Sequence, residues 1–214
     1  MAILKRIKSC FSFSGSGFLF LLIFAVVFRL FIIEPFVVKG SSMEPNFHNG
    51  DYLWIEKIST RASQIKRGEV IIFKAPDMPG SLYIKRVVGL PKERIKIYKE
   101  NIYIIKDNNV YKLSEPEIIF STLGSLDIVL AEDEYFVMGD NRNVSEDSRY
   151  FGPIKKSTII GKAWIRLLPK ENSGLIKVPF QNLEIVEGEE AKKILESPSS
   201  KSSSGLNSFL KEQI

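Results

Sequence analysis

The segment Val38-Lys39-Gly40-Ser41-Ser42-Met43-Glu44-Pro45 carries two hydroxyls beside a glycine. Gly40 lets a backbone or a substrate approach closely, and Pro45 stiffens the turn that follows. Further on, Tyr83-Ile84-Lys85-Arg86-Val87-Val88 reads as a strand. Alternation puts Tyr83, Lys85 and Val87 on one face, and Ile84, Arg86 and Val88 on the other. A lysine between an aromatic and a β-branched residue is desolvated, which lowers its pKa towards that of a usable neutral base. A third segment, Gly139 to Gly152, is dense in polar groups yet flanked by apolar strands. Its Asp140, Arg142, Asp147 and Arg149 suit a buried charged network that could hold Ser145 against an amine. Each segment alone also has a plain reading: a turn, a lysine snorkelling off an edge strand, a solvated loop.

Composition narrows the chemistry. The chain has 214 residues with one histidine and one cysteine. A Ser-His-Asp or Cys-His site would have to use His48, and only Cys10 could supply a thiol. A Cys₄ or Cys₂His₂ zinc site lacks its ligands within one chain, and a disulfide framework is excluded. His48 sits in a turn before Asn49-Gly50, where a surface or packing role is expected. A nucleophilic serine needs an adjacent base and a third group that orients it. With histidine set aside, Ser42 and Lys85 form the natural dyad, and Ser145 is the natural orienter. The formal net charge of +5 reads as surface, and fits a domain beside an anionic membrane.

The elements that must position these residues follow from hydropathy and turn formers. Ser9 to Phe28 is 20 residues without a charge. A helix of that length rises about 30 Å, enough to cross a bilayer core. Lys5, Arg6 and Lys8 precede it and predict a cytoplasmic N-terminus, with the rest of the chain across the membrane. Small residues for a cleavage site are missing after the apolar run, which favours an uncleaved anchor over a removed signal peptide. Cys10 lies in this segment, where apolar packing is expected. Ser42 lies nine residues past Ile33, so it works within about 30 Å of the membrane surface.

Between anchor and tail the sequence predicts short strands: Tyr52–Ile55, Val70–Phe73, Tyr83–Val88, Arg94–Tyr98, Asn101–Ile105, Tyr135–Met138 and Ile159–Leu167. Turn formers separate them, with hairpin ends at Lys99-Glu100 and Asp107-Asn108-Asn109. The class is all-β and antiparallel. The expected organisation is a cytoplasmic stretch over 1–8, an anchor over 9–33, a catalytic β-domain over 34–185, and a polar Ser-rich tail over 186–214, largely disordered. Trp54 and Trp164 are expected in the core or facing the bilayer.

Together these segments resemble the type I signal peptidases, the bacterial leader peptidase family with a serine-lysine dyad. The resemblance rests on Gly40–Pro45, Arg67-Gly68-Glu69-Val70-Ile71-Ile72-Phe73, Tyr83–Val87 and Gly139–Gly152, with the approach Arg29–Phe36 upstream. It runs from about Arg29 to Leu168. By that resemblance Ser42 is the nucleophile and Lys85 the general base. Ser145 hydrogen-bonds the amine, and Tyr83 packs beside the dyad. Asp140 pairs with Arg86, and Asp147 with Arg149. Gly40, Ser41, Met43 and Pro45 belong to the oxyanion and substrate-binding region, with the Ser42 amide meeting the oxyanion. Gly40 stands where some members carry a hydroxyl. Asn46 follows the motif proline where the family usually has Thr, and Lys92 stands where it usually has Gly.

The implied activity is removal of signal peptides from exported preproteins through an acyl-enzyme, cleaving after small residues at −1 and −3. An extended substrate would lie against Val38–Ser42 and Ser81–Lys85. The resemblance implies no metal or organic cofactor. The implied partners are preprotein signal peptides, the lipid bilayer and the export machinery, and no nucleic acid; the implied location is the inner (plasma) membrane, with the catalytic domain on its outer face. A self-cleaving Ser-Lys repressor would need a DNA-binding helix-turn-helix in place of the greasy segment. A non-catalytic membrane-anchored β-domain would tend to have lost Ser42 or Lys85. An organellar processing peptidase is barely separated from a bacterial one.

Overall fold

A computed structural model of the chain describes residues 17–23, 33–58, 60, 65–178 and 182–197. The anchor expected over 9–33 lies mostly outside these residues. Residues 17–23 form a helical stretch, α1, with exposed side chains. No helix among the described residues is long and apolar enough to cross a membrane. Ile33, assigned above to the end of the anchor, instead opens strand β1 (Ile33–Val37), where it pairs with Glu56.

Two antiparallel sheets make up the rest. The larger contains β1, β2 (Tyr52–Glu56), β3 (Val70–Lys74), β4 (Leu82–Gly89), β9 (Glu134–Met138), β10 (Ile154–Lys155), β11 (Ile159–Leu168) and β12 (Gly174–Leu175). Its order is β1-β2-β11-β3-β4-β9-β10, with β12 on β11. The smaller contains β5 (Arg94–Tyr98), β6 (Asn101–Lys106), β7 (Asn109–Ser114), β8 (Leu126–Val129) and β13 (Asn182–Val186), in the order β13-β7-β6-β5-β8.

Local chemistry explains the hairpins. Lys99 and Glu100 have φ of 47° and 62°, and Asp107 and Asn108 have 50° and 64°. Two consecutive left-handed residues match the twist of the flanking strands, so β5–β6 and β6–β7 close tightly. β3 sits between β11 and β4 and is buried on both faces. Its Val70 and Ile72 join one core cluster, while Ile71 and Phe73 join another. A period of two thus feeds two cores from one run of apolar residues. A third cluster joins the sheets, because Val88 of β4 and Phe136 and Met138 of β9 pack on Ile95, Ile97, Ile102 and Ile104.

The chain stays packed past residue 185, which corrects the expected start of the tail. Residues Gly188–Glu196 form helix α3; α2 is the single turn Ser148–Phe151. Ile194 is buried against Tyr103 and Val110. The buried Lys96 ammonium donates to the Ser197 carbonyl at 2.8 Å, a cation at a helix C-terminus. Ile194, the partly buried Ala191 and Leu195, and the capping Lys96 hold a helix that is polar elsewhere. Residues 198–214 lie outside the described ones.

Candidate active site

The turn that follows β1 carries Ser42. Val38 N–H donates to Asp51 O and Gly50 N–H to Val38 O, each at 2.9 Å, so the turn closes on the start of β2. Gly40 has φ of 86°, a conformation that suits glycine. Its N–H donates to Asn49 Oδ1 at 3.0 Å. Beyond Ser42, Met43 and Phe47 are sunk in the core with Leu53, Ile55 and Ile84. Met43 was expected in the substrate-binding region. Its side chain is 1% exposed, anchors the turn from beneath and does not line the groove. Pro45 is exposed and is not among the groove-lining residues.

Lys85 reaches Ser42 from β4, where it sits opposite Ile71. Lys85 Nζ and Ser42 Oγ are 2.7 Å apart and hydrogen-bonded. The lysine is 4% exposed. Burial lowers its pKa from the ordinary 10.5 to about 8, while the carboxylates of Asp147, Glu146 and Asp140 raise it and Arg149 lowers it. Desolvation wins, so roughly a tenth of the amine is neutral at pH 7. The Tyr83 ring centroid lies 5.7 Å from Nζ. That ring is held by Phe73 and Phe151, and its hydroxyl donates to Asp77 Oδ2 at 3.2 Å. Burial and Asp77 raise the Tyr83 pKa above 10.0.

On the opposite face of β4, Arg86 grips Asp140. Nε reaches Oδ1 at 2.7 Å and Nη2 reaches Oδ2 at 2.5 Å. Arg86 Nη1 also donates to Gly68 O at 2.9 Å, and Asn46 Nδ2 to Asp140 Oδ2 at 3.0 Å. Asp140 is fully buried, and a fork-to-fork pair is the geometry that makes such a burial tolerable. The second pair is also bidentate, with Arg149 Nε and Nη2 on Asp147 at 2.8 and 2.9 Å. Asp147 does three jobs: it also caps α2 by accepting from Arg149 N–H, and it accepts from Gly139 N–H at 3.0 Å. Arg142 ties the same loop to Glu115 and Thr122, both at 2.6 Å.

Ser145 departs from expectation. Its Oγ is buried and has no hydrogen-bond partner, so the expected bond to Lys85 is not formed. The amine is engaged with Ser42, and Ser145 Oγ lies instead against the bare Cα of Gly139. The Ser42 carbonyl oxygen crowds the same spot. Gly139 therefore lets the Ser42 carbonyl and Ser145 pack at one point where no side chain fits.

Two further positioning residues escaped the sequence reading. Asn141 N–H donates to Ser42 O at 3.0 Å, and its Nδ2 to Ser41 O at 3.3 Å. Asn46 links the Ser42 turn to Asp140 and to Glu117 O. Neither has a local signal, because their partners lie far away in sequence. His48 is exposed; its N–H donates to Asp51 Oδ2 at 3.1 Å, a turn-packing contact. Trp54 and Trp164 are exposed on β2 and β11.

An open groove of about 720 Å³ leads to the Ser42–Lys85 contact. Its walls are residues 35–37 and 39–42 on one side and residues 80–85 on the other, with Val144 and Glu146 also lining it. Gly40 and Ser41 lie in the first wall. β1 is the end strand of its sheet. β9 pairs with β4 only from Arg86 onward, so among the described residues Leu82–Lys85 have no strand on that side. Both walls therefore offer backbone groups to an extended peptide.

Residues 14–168 match the family model described as signal peptidase, peptidase S26. The chain is 33% identical over 162 residues to a probable signal peptidase I-2 of Synechocystis sp., covering 72% of each chain. It is 32% identical over 159 residues to a signal peptidase I of Bacillus licheniformis, covering 69% of this chain and 83% of that one. A solved signal peptidase I from Enterococcus faecalis V583 is 30% identical, with a TM-score of 0.41, and covers 47% of this chain and 97% of that chain.

Proposed function

The chain belongs to the signal peptidases of family S26, a family of hydrolases, and on that premise we propose that it removes N-terminal signal peptides from exported preproteins with Ser42 and Lys85. The observation that carries this reading is the 2.7 Å separation of Lys85 Nζ and Ser42 Oγ at the groove, with the amine desolvated. Neutral Lys85 takes the hydroxyl proton as Ser42 Oγ attacks the scissile carbonyl. The resulting ammonium gives that proton to the leaving amine, and an acyl-enzyme remains on Ser42. Lys85, neutral again, then activates the water that releases the signal peptide.

The Ser42 amide donates to no acceptor among the described residues, which leaves it free for the developing oxyanion. The peptide adds as a strand between the free edges of β1 and β4, and its small residues at −1 and −3 enter shallow apolar recesses. Asp140–Arg86 and Asp147–Arg149 position the loop that presses on Ser42, and Tyr83 shields the amine. The uncharged run of residues 9–28 supports a single-pass anchor ending before β1, with residues 1–8 cytoplasmic and the β-domain on the outer face of the inner (plasma) membrane, near the export machinery. Residues beyond 197 form a polar Ser-rich tail.

The test is cleavage of an Ala-x-Ala preprotein by the full chain in phospholipid vesicles. Ser42→Ala and Lys85→Ala each lower kcat/KM by about 10³-fold or more. A variant of either kind that cleaves at the unsubstituted rate sinks the dyad.

A further inference from the structure

Three charged side chains line the groove: Lys39, Lys85 and Glu146. Lys85 is bonded to Ser42, and Lys39 lies on the wall that leads out of β1. Glu146 is the one carboxylate among the described lining residues. It is exposed, and it has no hydrogen bond or ion pair among the described residues. Its chain neighbours are pinned, Ser145 against Gly139 and Asp147 by Arg149 and the Gly139 amide. A rigid backbone thus presents a side chain whose own charge is uncommitted. That charge reaches the reaction centre, since it is one of those opposing the burial of Lys85.

In the reading above the acyl side of the peptide runs along Ser81–Lys85 and its other side passes Ser42, in a groove that Val144 and Glu146 also line. We infer that Glu146 selects the charge of the substrate residue just after the scissile bond, favouring a basic side chain there and disfavouring an acidic one. The inference rests on the Ser42–Lys85 reading above. Its physics is simple. An exposed pair in water gives a small attraction, and a like-charged pair a similar repulsion. Lysine is thereby separated from glutamate at this position by about tenfold in kcat/KM, the sum of the two effects. The preference is screened by salt, because the carboxylate is exposed.

The experiment uses the full chain in neutral phosphatidylcholine vesicles. The substrates are Ala-x-Ala peptides that differ only in the next residue: Lys, Gln or Glu. The quantity read is the Lys-to-Glu ratio of kcat/KM, so any general change in Lys85 divides out. The expected ratio is about 10 for the unsubstituted chain, near 1 for Glu146→Gln and below 1 for Glu146→Lys. It should shrink severalfold between 0.05 and 0.5 M salt as an estimate from screening, about the Debye-length ratio. A ratio already near 1 in the unsubstituted chain, or one unchanged by Glu146→Gln, overturns the inference. If the unsubstituted chain cleaves none of the three peptides, or Ser42→Ala cleaves them, the proposed function itself fails.

Discussion

Gly139→Ala is the sharpest test of how Ser42, the proposed nucleophile, is held. A Cβ on Gly139 would sit 2.5 Å from Ser145 Cβ, and closer still to Ser145 Oγ and the Ser42 carbonyl oxygen. Ordinary contact begins near 3.4 Å. Neighbours must therefore retreat by roughly 0.9 to 1.2 Å. Ser145 can move only against the buried loop fixed by Arg149 and Arg142. The Ser42 carbonyl is backbone, and it is bonded to Asn141 N–H. Overpacking of this kind costs about 1–3 kcal/mol of stability. A displacement of about 1 Å at a reacting group costs about 10²-fold in rate. The assays are thermal unfolding and kcat/KM on an Ala-x-Ala peptide. Adding Ser145→Gly removes the side-chain clash and leaves the carbonyl clash. The double variant should regain about half the lost stability, on the same overpacking estimate, while its activity stays low. Near-unchanged activity in Gly139→Ala would refute the claim that Ser42 depends on this close approach.

Four other outcomes follow from the structure. With a lysine base whose pKa is about 8, kcat/KM should climb about tenfold per pH unit below pH 8 and level off above it when chemistry is limiting; a flat profile from pH 5 to 9 contradicts the base. Lys85→Met should abolish cleavage yet stabilise the fold by about 2 kcal/mol at pH 7. The sign follows because the folded pKa lies below the unfolded 10.5: the unfolded state binds the proton more tightly, stability falls as pH drops from 10.5 to 8, and the penalty stays constant below that. A denaturant midpoint lowered by Lys85→Met contradicts this. Asp140→Asn should cost about 3 kcal/mol, because it removes the bidentate carboxylate from the buried Arg86 guanidinium and leaves only the long 3.9 Å pair with Glu117, and equilibrium unfolding measures it. Lys92→Gly should gain about 0.5–1 kcal/mol, since Lys92 sits at φ 68° in a turn; an unchanged melting temperature would remove strain as the reason.

Much of the fold is legible in the chain because its signals are local. Strands β2 to β6, β9 and β11 follow from runs of β-branched and aromatic residues, and the two-residue turns at Lys99-Glu100 and Asp107-Asn108 close as hairpins. Within the expected β-domain the sequence marks neither β1 nor β13 as a strand, with Ile33 going to the anchor and Val186 to the tail, and it assigns α3 to the polar tail. Their stability comes from partners rather than from their own sequences. β13 needs β7, and α3 needs the pocket that takes Ile194 and the ammonium of Lys96.

For the site, one histidine and one cysteine leave few partners for a nucleophile and point towards a lysine base, while the choice of Ser42 and Lys85 rests on the family resemblance of their segments. Strand alternation put Lys85 and Arg86 on opposite faces, and the structure uses those faces for separate partners, Ser42 and Asp140. What the tertiary structure alone decided is proximity between distant segments. It brought residue 42 to residue 85, set Asn141 on the carbonyls of Ser41 and Ser42, turned Met43 into the core, and left Ser145 against Gly139 without a hydrogen bond. A pattern in sequence carries facing and periodicity, which are set by the backbone of one element. The depth of an amine's burial, and which oxygen it meets, depend on how separate elements pack together, and that exists only once the chain has folded.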